Sequence, residues 1–140
     1  MSILYFNEDV PFPKLSRRKI NSWIKKVIEC EGKRTGDISF IFCSDEYLLE
    51  VNSNYLKHFY YTDVITFDYV VGDIVSGDVF ISIDRIKENS LTYEVAFESE
   101  LNRVFVHGIL HLLGYKDKDK KNKEMMTFKE DYYLKMQIDN

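Results

Sequence analysis

Two of the chain's three histidines, His107 and His111, lie four residues apart in the segment VHGILHLLGYKD, residues 106–117. On a helix, that spacing stacks both imidazoles on one face, a turn apart. Gly114 can adopt the left-handed conformation that ends such a helix, and the chain can then turn so that Asp117 swings beneath the histidines. Two nitrogens and one carboxylate oxygen would converge and leave a fourth position open, the layout of a catalytic zinc site rather than a structural one. Mixed nitrogen and carboxylate ligation favours one Zn2+ per chain, with nickel, iron and manganese as alternatives. Two unrelated core or surface histidines would share the four-residue spacing. The glycine three residues later and the carboxylate six residues later are what favour a metal. Asp119 is the competing carboxylate, and Asp117 is preferred because the turn at Gly114 and Tyr115 returns it sooner.

The residue after the first histidine is Gly108. Zinc peptidases with the H-E-x-x-H pattern place their general base there, so a peptidase would lack it, and water activation would fall to the metal or to a group from elsewhere. Glu100 and Arg103 extend the histidine face backwards. Arg103 is a candidate phosphate binder and Glu100 a candidate to orient a ligand from outside; an ordinary ion pair at three-residue spacing is the competing reading. His58 sits in the aromatic loop KHFYYTD, as a candidate general base, a base-stacking neighbour, or a loop histidine without a role. Lys57, Lys116 and Lys118 are candidate RNA contacts. The last two lead a cluster continued by Lys120, Lys121 and Lys123, which is equally a solvated helix start.

Positioning these groups requires a folded scaffold. Residues 3–6 read as a strand. Ser16 is placed to cap a helix on which Ile20, Trp23, Ile24, Val27 and Ile28 recur at helical spacing. Residues 38–43 read as a buried strand, and Ser44 as the cap of a helix with Asp45 and Glu46 in its first turn. Residues 64–70 and 78–83 are close enough to pair as an antiparallel hairpin. Asp84 is placed to cap a short helical turn over 85–89. The longest helical pattern runs from Tyr93 to Leu113 and carries the histidines. A last amphipathic helix shows Met125, Phe128, Tyr132 and Met136 on one side, as its inner face. This order predicts an α+β fold, one small mixed sheet packed with helices around a central metal-binding helix.

The chain has 140 residues, long enough for one domain over 1–140 with its own core. A hydrophobic fraction of 45% excludes a disordered chain. No apolar run approaches a membrane span, and no secretion signal is seen, which predicts a cytoplasmic protein. Cys30 and Cys43 fit reduced, buried thiols and have no metal-ligand spacing. The formal net charge of −4 argues against simple nonspecific binding to nucleic acid, so any RNA contact must use a local basic patch.

Three segments together resemble the YbeY family of bacterial endoribonucleases, which act in maturation of ribosomal RNA. HGILHLLGYKD resembles the family signature H-G-x-L-H-L-x-G-Y-D-H. TDVITF at 62–67 resembles its T-[ND]-V-L-S-F strand, and GDVFIS at 77–82 its G-D-I-x-I-S strand. The resemblance implies a zincin-like α+β fold and one zinc with three ligands. His107 and His111 match the first two, and Asp117 falls at the third family histidine. Leu56 falls where the family commonly carries an arginine thought to contribute to cleavage. The expected activity is metal-dependent RNA cleavage in ribosomal RNA processing and small-subunit maturation or quality control. The expected partners are ribosomal RNA, the small subunit, and ribosomal or assembly-factor proteins. Leu56 and the acidic charge motivate the alternative of a ribosome assembly factor whose metal is mainly structural. A zinc peptidase ranks third.

Overall fold

The computed structural model describes residues 2–56 and 62–138. Elements follow in the order β1 (Ile3–Asn7), α1 (Arg17–Cys30), β2 (Arg34–Cys43), α2 (Asp45–Leu56), β3 (Val64–Asp68), β4 (Ile74–Ser82), α3 (Ile83–Thr92), α4 (Phe97–Leu112) and α5 (Lys120–Ile138). The four strands form one mixed sheet in the order β1-β2-β4-β3. β1 and β4 both run parallel to β2, and β3 closes the other edge antiparallel to β4. The α+β architecture and the hairpin thus match the sequence reading.

The strand pattern explains which face the helices cover. Ile3, Tyr5, Ile38, Phe40, Phe42, Val79 and Ile81 share one buried face. α1 lays Ile20, Trp23, Ile24, Val27 and Ile28 into the same core. α4 adds Leu101, Val104, Phe105, Ile109 and Leu112. Phe105 meets Phe40 edge to face, with ring centroids 4.8 Å apart, and burying an aromatic or aliphatic side chain of this size contributes about 1.5–3 kcal/mol. On the opposite sheet face, α2 covers a smaller cluster of Cys43, Leu48, Val51 and Ile65.

Two close approaches seat α4 on the sheet. A Cβ at Gly108 would lie 2.7 Å from Val79 Cγ1, and one at Gly77 would lie 2.7 Å from Leu112 Cδ2. α4 therefore runs against β4 with glycine on either side of the contact. α5 then packs over α4 and α1, where Trp23 Nε1 donates to the Tyr133 carbonyl at 2.9 Å.

Several boundaries differ from the sequence reading. Ser16 occupies the N-cap of α1, but its side chain makes no cap hydrogen bond. Ser44 does cap α2, accepting from the Tyr47 N–H, while Asp9 holds the Ser44 N–H and hydroxyl. The cap of α3 is Ser82, which accepts from the Arg85 N–H; Asp84 instead accepts from the Asp45 N–H. The helix over 93–113 begins only at Phe97. Tyr93 ends α3, and Glu94 turns the chain with a φ of 54°. Of the cysteines, Cys43 is buried and its thiol is pushed up to about 12, first by burial and then by nearby acids; Cys30 is exposed.

Most of the apolar stripe expected to face inward on α5 faces outward, and of its four residues Met136 alone packs against the core. Met125, Phe128 and Tyr132 are 47%, 63% and 53% exposed, whereas Met126 and Tyr133 are buried. The inner face is set by Met126, Glu130 and Tyr133, at intervals of four and three residues. Its glutamate is paired rather than solvated.

Candidate metal centre

α4 presents two faces. Opposite its core stripe, Arg103, His107 and His111 recur every four residues and look toward α5 and the loop before it. Gly114, with a φ of 102°, ends the helix as the sequence predicts, and the Gly114 N–H donates to the His111 carbonyl. The turn returns Asp117 to the histidines. His107 Nε2 and His111 Nε2 lie 3.0 Å apart, and Asp117 Oδ2 lies 3.4 Å from each.

Asp119 has a different task. Its carboxylate accepts from the Asn122 N–H at 2.8 Å, and its carbonyl from the Lys123 N–H. That is an N-cap for α5. Of the two acids in the loop, only Asp117 joins the histidines in a group of possible metal ligands among the described residues.

The outer hydrogen bonds fix the tautomers. His111 Nδ1 lies 3.0 Å from the Tyr115 carbonyl, which can only accept, so Nδ1 carries the proton. His107 Nδ1 lies 2.6 Å from Glu130 Oε2, a carboxylate that demands a donor in the same way. In the neutral imidazoles both Nε2 atoms are then lone pairs, facing each other and an acid oxygen. Three acceptors converging at 3.0–3.4 Å repel unless a proton or a metal cation lies among them. With metal–ligand bonds of about 2.0–2.1 Å, tetrahedral edges are about 3.3 Å, so the donor set fits a divalent ion such as zinc. A carboxylate or carbonyl behind each ligating imidazole is also the usual support of a metal-bound histidine.

Burial opposes charge on His107, but the bond to Glu130 and the charges of Glu130, Asp63 and Asp117 raise its pKa above the ordinary histidine value. Burial and the neighbouring His107 lower that of His111. The pair accepts one positive charge and resists a second. Burial also pushes the Asp63 carboxyl up, against the opposing pull of His107.

Outside the three candidate ligands, two acids brace the site. Glu130 is clamped by Arg103, whose Nη1 donates to Oε1 at 2.8 Å while Nη2 reaches Asp131 at 2.7 Å. Arg103 thus pairs across to α5, and the sequence-based pair with Glu100 gives way to it. Glu100 itself is buried, and burial followed by Asp63 raises its carboxyl above the usual range. Glu31, the residue that ends α1, accepts from Tyr115 Oη at 2.5 Å, from Lys129 Nζ at 3.1 Å and from the Tyr133 hydroxyl. Neither Glu31 nor Glu130 stood out in the sequence. The available signal was weak: Glu130 lies in helical register with Met126 and Tyr133, but that register becomes visible only once the packing is known.

An open groove of about 1620 Å³ leads away from His107 between α1, α4 and α5. Arg18, Lys19 and Lys26 line its α1 side, and Asp63, Glu98 and Glu100 lie among the residues opposite. Lys116 and Lys118 are exposed and flank Asp117 in the metal loop. The expectations for Lys57 and His58 fall outside the described residues. Leu56 is the last residue of α2, immediately before that segment.

Comparison with known proteins identifies relatives. A family model described as endoribonuclease YbeY matches residues 6–137. The endoribonuclease YbeY of Parabacteroides distasonis is 50% identical over 134 residues, covering 96% of this chain and 94% of that protein. The endoribonuclease YbeY of Bacteroides thetaiotaomicron is 49% identical over 136 residues, covering 97% and 99%. Among solved structures, the solution structure of TM1509 from Thermotoga maritima matches with a TM-score of 0.67 at 27% identity, covering 97% of this chain and 89% of that one.

Proposed function

The chain belongs to the endoribonuclease YbeY family, and from that premise we propose that it is a zinc-dependent endoribonuclease acting in ribosomal RNA processing and small-subunit maturation or quality control. The observation that carries the metal part of this reading is the convergence of His107 Nε2, His111 Nε2 and Asp117 Oδ2, with both Nδ1 atoms already committed outward. A bound zinc ion would supply Lewis acidity toward a phosphoryl oxygen and lower the pKa of a water molecule.

The chain's own residues do the rest. His107, His111 and Asp117 would hold the ion from one side and leave a coordination position open, and of the three His107 also lines the groove. Asp117 would bring one negative charge to the ligand set, where a third imidazole would bring none. Lys116 and Lys118 stand beside Asp117 to meet backbone phosphates, with Lys57 and His58 as further candidates from the loop before β3. Arg103 faces the site but commits its guanidinium to Glu130 and Asp131, so its part is to position rather than to bind phosphate. The whole chain, 1–140, acts as one catalytic domain in the cytoplasm. No helix among the described residues is long and apolar enough to cross a membrane.

The test is RNA cleavage by the wild type and by His111→Ala in nuclease-free preparations. The variant is expected to lose cleavage and zinc together. Unchanged, metal-independent cleavage by His111→Ala would overturn the zinc mechanism.

A second reading, an assembly factor with a mainly structural metal, draws support from Leu56 at the family arginine position and from the acids lining the groove. It expects folded, cleavage-silent variants to support ribosome maturation, and it fails if maturation tracks cleavage. A zinc peptidase finds no support, because the position of its base is a glycine packed against Val79.

A further inference from the structure

Arg103, Glu130 and His107 form a continuous chain from α4 to α5 and back, ending on a metal ligand. Glu130 is 6% exposed, although glutamate is seldom buried without a partner. One of its oxygens meets Arg103 Nη1 at 2.8 Å and the other meets His107 Nδ1 at 2.6 Å. Both carboxylate oxygens are therefore engaged, and the carboxylate is fixed in plane and direction. The buried charge has a cation on one side and an imidazole N–H on the other, which offsets its desolvation.

We propose that Glu130 is a positioning residue for the metal centre, holding His107 with Nδ1 protonated and Nε2 aimed at His111 and Asp117, and that Arg103 acts by holding Glu130. This rests on the metal reading above and adds to it the residues that set the strength of binding. The geometry favours direct orientation over general support of the fold. Met126 and Tyr133, on the same inner face of α5, pack into the apolar core, whereas Glu130 contacts His107 at hydrogen-bond distance. Among the described residues, His111 Nδ1 meets the Tyr115 carbonyl rather than a carboxylate. The two ligands are thus braced unequally, and His107 is the one with a charged orienter.

The prediction concerns metal affinity and does not require turnover. Zinc binding is measured by competition with a chromophoric chelator for the wild type, Glu130→Gln, Glu130→Ala, Arg103→Ala and Met126→Ala, with thermal unfolding of each zinc-free protein alongside. Loss of an outer-sphere partner typically weakens metal binding about 10–100-fold. Glu130→Ala is expected to fall in that range, and Glu130→Gln, which keeps an acceptor of the same length but loses the charge, between it and the wild type. Arg103→Ala is expected to weaken binding less than Glu130→Ala. Met126→Ala is expected to lower the unfolding temperature while leaving affinity unchanged. If both Glu130 variants bind zinc as tightly as the wild type, the positioning role is overturned. It is overturned equally if affinity merely follows unfolding temperature across all four variants. A wild type that takes up no zinc would overturn the metal reading along with it.

Discussion

Glu31 and Tyr115 lie 84 residues apart in sequence and share a 2.5 Å hydrogen bond, tyrosine donating to the carboxylate. This bond ties the end of α1 to the loop that carries Asp117. The same Tyr115 offers its carbonyl to His111 Nδ1, so the side chain anchors the very residue whose backbone orients a ligand. Tyr115→Phe removes only the anchor. Bonds to charged groups contribute about 1.5–3 kcal/mol, so this variant should lose stability of about that size. It should also weaken zinc binding, but by less than His111→Ala does. Denaturant unfolding and chelator competition would measure the two effects, and a Tyr115→Phe protein unchanged in both would show that the anchor is dispensable.

The same carboxylate gives the protein a pH dependence. Burial would raise the Glu31 pKa, but hydrogen bonds from Tyr115, Tyr133 and Lys129 outweigh it and hold the carboxyl below the ordinary value. A carboxylate with a folded pKa below its unfolded one stabilises the fold above the unfolded value, about 4.3 for glutamate. That contribution fades as pH falls through the folded value, because the unfolded chain takes up the proton first. Glu31→Gln should therefore be less stable than the wild type at neutral pH, and the gap should close in acid. Unfolding free energies of the two proteins across that range would show it; a gap that is constant with pH would contradict the assignment.

Gly108 explains itself through its contact. A Cβ there would meet Val79 Cγ1 at 2.7 Å, with Val79 Cγ2 and Val64 Cγ2 at ordinary contact distance. Valine is stiff and cannot withdraw one methyl without moving the other. Gly108→Ala gains about 1 kcal/mol in helix propensity, yet overpacking a core costs about 1–3 kcal/mol, so a net loss of stability is expected. Pairing it with Val79→Ala should recover part of that loss, with a favourable coupling of about 0.5 kcal/mol or more in a double-mutant cycle. Strict additivity would mean that α4 can lift from β4 freely.

These contacts also mark where sequence reasoning stops. The grouping of His107, His111 and Asp117 was legible because two histidines, a glycine and an acid carry their own spacing. The hairpin and α1 were legible because alternation and a helical stripe followed burial. α5 was misread because its inner face is not its most apolar one. Phe128 is exposed while Glu130, paired to Arg103 and His107, is buried. Amphipathic patterning treats a glutamate as solvated, so a residue that braces the site looks like surface. The start of α4 was missed for a different reason: the turn at Glu94 uses no glycine or proline, and nothing local announces it. For Glu130 the deciding partners lie on another element, whereas at Glu94 the turn closes on the end of α3, with the Glu94 N–H donating to the Leu91 carbonyl and the Val95 N–H to the Ser90 carbonyl.

The two acids of the metal loop provide the sharpest test of the site. Asp117 Oδ2 lies 3.4 Å from both Nε2 atoms, whereas Asp119 caps α5 through the Asn122 N–H. Asp117→Ala leaves two ligands and should weaken zinc binding more than the about 10–100-fold typical of losing an outer partner. Asp117→His restores a third donor of the type the family signature carries, and should bind zinc more tightly than Asp117→Ala does. Asp119→Ala should cost about 1 kcal/mol of stability as a lost cap and leave zinc affinity nearly unchanged. Chelator competition and thermal unfolding on the three variants separate the roles. If Asp119→Ala weakens zinc binding as much as Asp117→Ala, the loop rearranges around the ion and the ligand is not the one that the turn at Gly114 brings back.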